Sequence, residues 1–184
     1  YMMKGVDFVI AGNQFLQSEV FRYHGNVKVV PTSIDLSQYT VKTDPHERGP
    51  LTIGWVGSAS TLAYLESLIP SFEVIFEKCQ NFQVKIVCDR FLESPKVPIV
   101  KKRWSAGEEQ ADLRSFDIGV MPLADDLWSR GKCGLKILQY FGVGVPAVCT
   151  PVGANREIVQ DGVNGFWAQN REEWQDRLLR LIQD

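Results

Sequence analysis

The chain has 184 residues, room for one good-sized domain and a small appendage, and its 45% hydrophobic and 23% charged content is that of an ordinary globular protein. A net charge of −2 supplies no electrostatic reason for a nucleic-acid or anionic-membrane partner, and no apolar run approaches the ~20 residues that span a bilayer. Tyr1-Met2-Met3-Lys4 is not followed by a signal-peptide core, because Asp7 interrupts the short apolar run, and the chain opens mid-pattern, as an excised fragment does. Cys79, Cys88, Cys133 and Cys149 are widely spaced, and three of them sit in apolar surroundings typical of free buried thiols, which suggests a reducing compartment. His24 and His46 lie in polar segments without ligand-spaced partners, so neither zinc nor a histidine triad is expected.

In chain order, Asp7–Ile10 is a short strand, Asn13 caps a helix from about Gln14 to Tyr23, and Val27–Val30 is a second strand ended by Pro31. Thr32–Pro50 is polar and punctuated by Pro45, Gly49 and Pro50, as a linker or long loop is. Leu51–Val56 is an apolar strand ending in Gly57-Ser58-Ala59-Ser60. Leu62, Leu65, Ile69, Phe72 and Phe76 then recur at helical spacing, with a kink expected at Pro70. Val84–Cys88 is a strand, Val97–Arg103 an edge strand, Glu108–Arg114 a short helix and Asp117–Met121 a buried strand. A helix over Gly134–Gly142, a strand at Ala147–Cys149, a short helix at Asn155–Gln160 and a strand at Gly165–Trp167 follow. Asn170 and Glu173 then form a capping pair for a last helix with Trp174, Leu178 and Leu181 on one face. Strands alternating with helices predict an α/β fold, a Rossmann-like parallel sheet with helices on both faces and ligands at the carboxyl ends of its strands.

The stretch richest in chemistry runs from Arg130-Gly131-Lys132-Cys133-Gly134 into Leu135-Lys136-Ile137-Leu138-Gln139. A helix start exposes unpaired N–H groups and the positive end of the helix dipole, and three cations (Arg130, Lys132, Lys136) crowd this one. A diphosphate on the loop, with a polar group such as ribose beside Gln139, fits that pattern. The plain alternative is solvated lysines and a glycine turn, since no full P-loop motif is present. Asp125-Asp126 reads as a surface turn rather than a metal site, Trp104 as a base-stacking ring or a cover for a sheet edge, and Glu157 as a solvated helix face or a ligand for hydroxyls. A nicotinamide fingerprint is missing: Gly54-x-x-Gly57 has the wrong glycines, and Asp89 lies too far along.

The motifs from Gly131 to Gly165, namely the loop and helix to Gln139, Gly144-Val145-Pro146, Ala147-Val148, and Gly153 through Glu157 to Asp161-Gly162 and Gly165-Phe166, resemble the donor-binding half of retaining group 1 (family 4-like) GT-B glycosyltransferases. Ile53-Gly54-Trp55-Val56-Gly57-Ser58 and Ser115-Phe116-Asp117-Ile118-Gly119-Val120-Met121-Pro122 are similar to other segments of that half. Asp7–Ile10 and Val29–Asp35 resemble the end of the other half and the hinge. The resemblance implies that residues 1–35 are the edge of the N-terminal half and that 36–184 form a nucleotide-sugar-binding domain. It implies a nucleotide-diphosphate sugar as donor substrate, no cofactor or metal, no nucleic acid, and an acceptor bound mainly by a missing N-terminal half. It also implies a cytoplasmic enzyme, with peripheral membrane association of the full-length protein left open. Donor contacts would come from Gly57, Ser58, Arg130, Lys132, Gly134, Leu135 and Lys136, ribose contacts from Gln139 and base contacts from Trp104. The family's two spaced glutamates, the first for the transferred sugar and the second for ribose, are replaced by Gly131 and Gln139, so no catalytic residue is assigned. Two rival readings share the same donor half: a sugar-nucleotide epimerase and a non-catalytic nucleotide-sugar-binding module. The fragment alone is expected to be inactive.

Overall fold

The computed structural model describes residues 5–43 and 49–183. The readings placed on Tyr1–Lys4, Pro45 and His46 therefore lie outside the described residues. Residues 9–29 form a small β-α-β unit in which β1 (Val9–Ala11) pairs in parallel with β2 (Val27–Val29) and α1 (Gln14–Phe21) connects them. Asn13 caps α1 as expected, its Oδ1 accepting from Leu16 N–H at 2.8 Å.

The rest is one six-stranded, all-parallel sheet in the order β5-β4-β3-β6-β7-β8. Its strands are β3 (Leu51–Val56), β4 (Phe82–Val87), β5 (Ile99–Lys102), β6 (Ile118–Met121), β7 (Ala147–Cys149) and β8 (Gly165–Trp167). The chain grows outward from β3 to one side, returns, and grows from β6 to the other. That reversal between β3 and β6 opens a crevice at the carboxyl ends of the two strands.

Alternate residues of each strand feed two cores. Ile53, Trp55, Ile86, Val120 and Val148 pack with α2 (Leu62–Glu66), α3 (Ile69–Lys78) and α8 (Arg171–Gln183) on one face. Val56, Val87, Met121 and Cys149 pack on the other with α4 (Glu109–Arg114), α6 (Leu135–Gly142) and the segment around α7 (Asn155–Ile158). Burial on both faces explains why β6 is apolar at every position, all four of its residues being buried. Glu173 accepts from Asn170 Nδ2 and Gln169 N–H, while its own N–H donates to Asn170 Oδ1, so the predicted capping pair opens α8.

Three expectations change. Pro70 does not kink one helix: it falls in the first turn of α3, after a break that ends α2 at Glu66, because a proline is tolerated where no intrahelical donor is needed. Asp125-Asp126 is not a plain turn. Asp126 caps a short helix, α5 (Leu127–Arg130), by accepting from Ser129 N–H at 2.7 Å, and Asp125 pairs with Arg130. Of the cysteines, Cys88 and Cys149 are buried, whereas Cys79 is only partly so.

Two glycines in register, Gly54 of β3 and Gly119 of β6, leave the space above the sheet to aromatic rings. A Cβ on Gly54 would stand 2.0 Å from the Phe116 ring and one on Gly119 2.4 Å from the Tyr140 ring. The two rings meet edge to face at 6.1 Å, and the Tyr140 hydroxyl donates to Val120 C=O at 3.3 Å. Tyr140 thereby ties α6 to the sheet beneath the crevice. Gly119→Ala should destabilise the fold by about 1–3 kcal/mol, since a buried ring must leave its rotamer. Denaturant unfolding checks this, and an unchanged midpoint would mean that Tyr140 moves aside freely.

Candidate functional site

A cleft of about 520 Å³ lies at the carboxyl ends of β3, β4 and β5, lined by Val56, Gly57, Ser58, Asp89, Trp104, Glu109, Leu135, Lys136 and Gln139. The backbone turn before α6 leads into Leu135 and Lys136 of that lining. Gly134 takes a left-handed conformation (φ 71°) as the cap residue of α6, and a Cβ there would meet Ile158 Cδ1 at 2.3 Å. The N–H groups of Leu135 and Lys136 open the helix and have no intrahelical acceptor. Lys136 and Gln139, three residues apart, share the face turned to the cleft.

The loop ahead of this turn is held from the other lobe. Asn13, itself buried, donates from Nδ2 to Arg130 C=O and to Lys132 C=O, each at 3.0 Å. Gly12 permits the approach, since a Cβ there would stand 2.4 Å from Cys133 Sγ. The cap of α1 is thus also the clamp of the basic loop.

The residues singled out in the sequence do not all converge. Gly57, Ser58, Trp104, Leu135, Lys136 and Gln139 line the cleft, whereas Gly134, the residue before Leu135, is not part of the lining and packs near Ile158. Lys132 lies beside it with Lys136, Tyr64 and Trp55, its ammonium 5.7 Å from the Trp128 ring. Arg130 stands away from the lining, its guanidinium committed to Asp125 at 2.6 and 3.1 Å. The N–H of Gly57 donates to Val87 C=O at 3.0 Å, and that of Ala59 to Asp89 at 3.0 Å, so the first glycine turn has spent those donors within the protein. Glu157 is exposed and does not line the cleft.

Two carboxylates that sequence reasoning left aside belong to this site. Asp89, at the end of β4, accepts from Ala59 N–H and from Cys88 Sγ, and the bond from Cys88 holds its carboxyl below the usual range. Glu109, at the start of α4, accepts from Trp104 Nε1 and from Gln139 Nε2, each at 3.0 Å. Glu109 sits in a run of helix-surface polar residues, and only the fold brings it opposite α6.

Charge is therefore divided across the cleft. Burial pushes the Lys136 ammonium below the usual lysine value, Lys132 adds repulsion, and Glu109 opposes the shift. A cation desolvated in this way gains most from an anion placed against it. The cleft can accept a phosphate group on its Lys136 side and a hydroxyl-bearing, flat group on its Glu109 and Trp104 side.

A family profile described as glycosyl transferases group 1 matches residues 50–184. A stretch of 53 residues is 38% identical to the sucrose synthase of Melioribacter roseus and spans 28% of this chain and 7% of that protein. Among solved structures the fold is similar to that of S. aureus TarM, with a TM-score of 0.77, 15% identity, and coverage of 98% of this chain and 37% of that one. HepE of Anabaena, crystallised with UDP and glucose, gives a TM-score of 0.72 at 19% identity, over 98% of this chain and 54% of that one. The C-terminal domain of a group 1 glycosyl transferase, LpcC of Francisella tularensis, gives 0.62 at 17% identity over 83% of this chain and 89% of that domain. The chain thus spans less than two thirds of TarM and HepE but most of the isolated C-terminal domain. It belongs to the glycosyl transferases group 1 family, and its six-stranded part has the fold of the C-terminal half of a GT-B enzyme.

Proposed function

We propose that this chain is the donor-binding half of a glycosyltransferase that moves a sugar from a nucleoside-diphosphate donor to an acceptor seated on a facing half. The observation that carries the reading is the juxtaposition of a half-desolvated lysine, Lys136, and an open helix start on one cleft at the carboxyl end of β3. The diphosphate lies against the N–H groups of Leu135 and Lys136 and the Lys136 ammonium, with Lys132 adjoining. The nucleoside extends toward Trp104 and Gln139. As the bond to the sugar breaks, negative charge builds on the diphosphate, and donors fixed in advance stabilise it without reorganising.

Gly131 has no side chain to offer the sugar, although a Cβ there would make only ordinary contacts, 3.4 Å from Leu16 Cδ2 and Trp128 C=O. That missing side chain favours, as the second reading, a module that binds a nucleotide sugar without acting on it. Product analysis of the full-length protein separates the two, because only the first yields a glycosylated acceptor.

Calorimetry of the isolated chain with uridine and guanosine diphosphates should register weak binding of at least one, with no sugar transfer. Robust transfer by the chain alone would refute the assignment of the acceptor site to another half. Lys136→Ala should weaken diphosphate binding by about tenfold or more, the loss of one charge-assisted bond worth about 1.5–3 kcal/mol, and leave nucleoside binding nearly unchanged. A solvated lysine would leave both affinities equal.

The depressed Lys136 pKa sets a pH dependence with a definite sign. Between the lowered native value and the ordinary unfolded one the unfolded chain binds the extra proton, so this lysine costs stability fully below that window and the cost fades as pH rises through it. Ligand binding runs the other way: diphosphate affinity should fall as pH climbs through the lowered pKa, before the ordinary lysine range is reached. Lys136→Arg should bind with no such fall, since a guanidinium stays charged. A flat wild-type profile across the alkaline range would remove Lys136 from the phosphate.

A further inference from the structure

We infer that the ribose of the bound nucleotide is read by Glu109 of α4, and that Gln139 of α6 is a positioning residue that holds the Glu109 carboxylate in place. The inference rests on the donor-site reading above and departs from the sequence expectation, which gives the ribose to Gln139.

Gln139 is buried, and its amide nitrogen is already engaged, donating to Glu109 Oε2 at 3.0 Å with the Tyr39 hydroxyl 3.4 Å away. Its donor capacity is thus spent inside the protein. Glu109 is the reverse case. Its neighbour Glu108 pairs with Lys102 at 2.9 Å, but Glu109 makes no ion pair among the described residues. It is held by two neutral donors, Trp104 Nε1 on one oxygen and Gln139 Nε2 on the other, and it faces the cleft.

A carboxylate has about four acceptor sites, so with one donor on each oxygen it still accepts one more on each. Two acceptors with fixed spacing and a full negative charge match a vicinal pair of hydroxyls, which have only O–H donors to offer in that direction. A ribose has such a pair. The phosphate side of the cleft, at Lys136, repels nothing on this ligand, and the carboxylate side repels any second phosphate. The nucleotide is therefore oriented by charge alone before any base contact forms. Trp104 contributes a ring, not a donor: its N–H is spent on Glu109, and the half-exposed indole face is left for stacking.

The same geometry makes a charge swap decisive. A carboxylate at position 139 alone would stand against Glu109 where a donor now stands, and like charges at hydrogen-bond distance cannot both persist. Restoring one amide and one carboxylate, in reversed positions, re-forms the bond.

The probes are the better bound of uridine and guanosine diphosphate and its 2′,3′-dideoxy counterpart, titrated calorimetrically into the chain, with melting curves to verify folding. Wild type should prefer the ribonucleotide by about tenfold or more, the worth of hydroxyl bonds to a charged acceptor. Glu109→Gln and Glu109→Ala should shrink that preference, the ratio of the two affinities, to about twofold. Gln139→Glu should lose ribonucleotide affinity at neutral pH and regain it on acidification, as one carboxyl takes a proton. The double variant Glu109→Gln/Gln139→Glu should re-form the bond between the two side chains and restore the melting temperature lost in Gln139→Glu, but not the preference, because the carboxylate no longer stands at position 109. Full ribonucleotide preference in both Glu109 variants, or a preference restored in the double variant, would overturn the inference while leaving the donor site standing. A wild type that binds no nucleoside diphosphate would instead refute the donor-site reading, and the inference with it.

Discussion

The left-handed backbone at Gly134 is the constraint on which the cleft depends. At φ 71° any other side chain is strained, and a Cβ would stand 2.3 Å from Ile158 Cδ1, so a larger residue must also displace that side-chain end. That turn sets the direction of α6, and the direction of α6 decides that Lys136 and Gln139 face β3 rather than solvent. Behind the turn, Asn13 fixes two carbonyls of the same loop from the β1–α1 unit. Below it, Tyr140 fixes the helix to the sheet through Val120. A short loop is thus held from three directions, each anchor on a different element. Preorganisation of that kind is what a charge-stabilising site requires, because donors that must first reorient contribute little.

Electrostatics in the cleft is a contest between desolvation and pairing. Lys136 is deep enough for burial to dominate, and neighbouring Lys132 adds to the cost, while Glu109 offsets part of it without forming a direct ion pair. Arg130 shows the opposite outcome a few residues away: exposed, paired with Asp125, and neutralised on the surface. A paired surface arginine is worth little to a ligand, whereas an incompletely compensated lysine inside a cleft is poised for an anion. Cations close in sequence therefore differ in surroundings because they differ in solvent access, and that difference comes from the fold.

The sheet was legible in the sequence because strands buried on both faces leave unbroken apolar runs, and β3, β7 and β8 begin and end at the residues the pattern predicts. Helix ends were legible where side chains cap them, at Asn13 and at Asn170 with Glu173. The break between α2 and α3 was not, since the apolar spacing continues across it and only the proline marks it. Helix α5 was hidden by its length, having a cap but no apolar period. Of the cleft, the α6 side showed in the sequence as glycine and lysine spacing. The facing side did not, because Asp89 follows a strand and Glu109 opens a helix, and neither carries a local signature. The pairing of Arg130 with Asp125 is hidden for the complementary reason, that a charge's partner across a turn is invisible in a motif.

The measurement that addresses the central claim most directly is a crystal structure of the chain with a bound nucleoside diphosphate. The account predicts the diphosphate against Leu135 N–H and Lys136 Nζ, with the nucleoside running toward Trp104 and Glu109. A nucleotide seated elsewhere, for example on the Arg130 and Lys132 surface with Lys136 unoccupied, would contradict it.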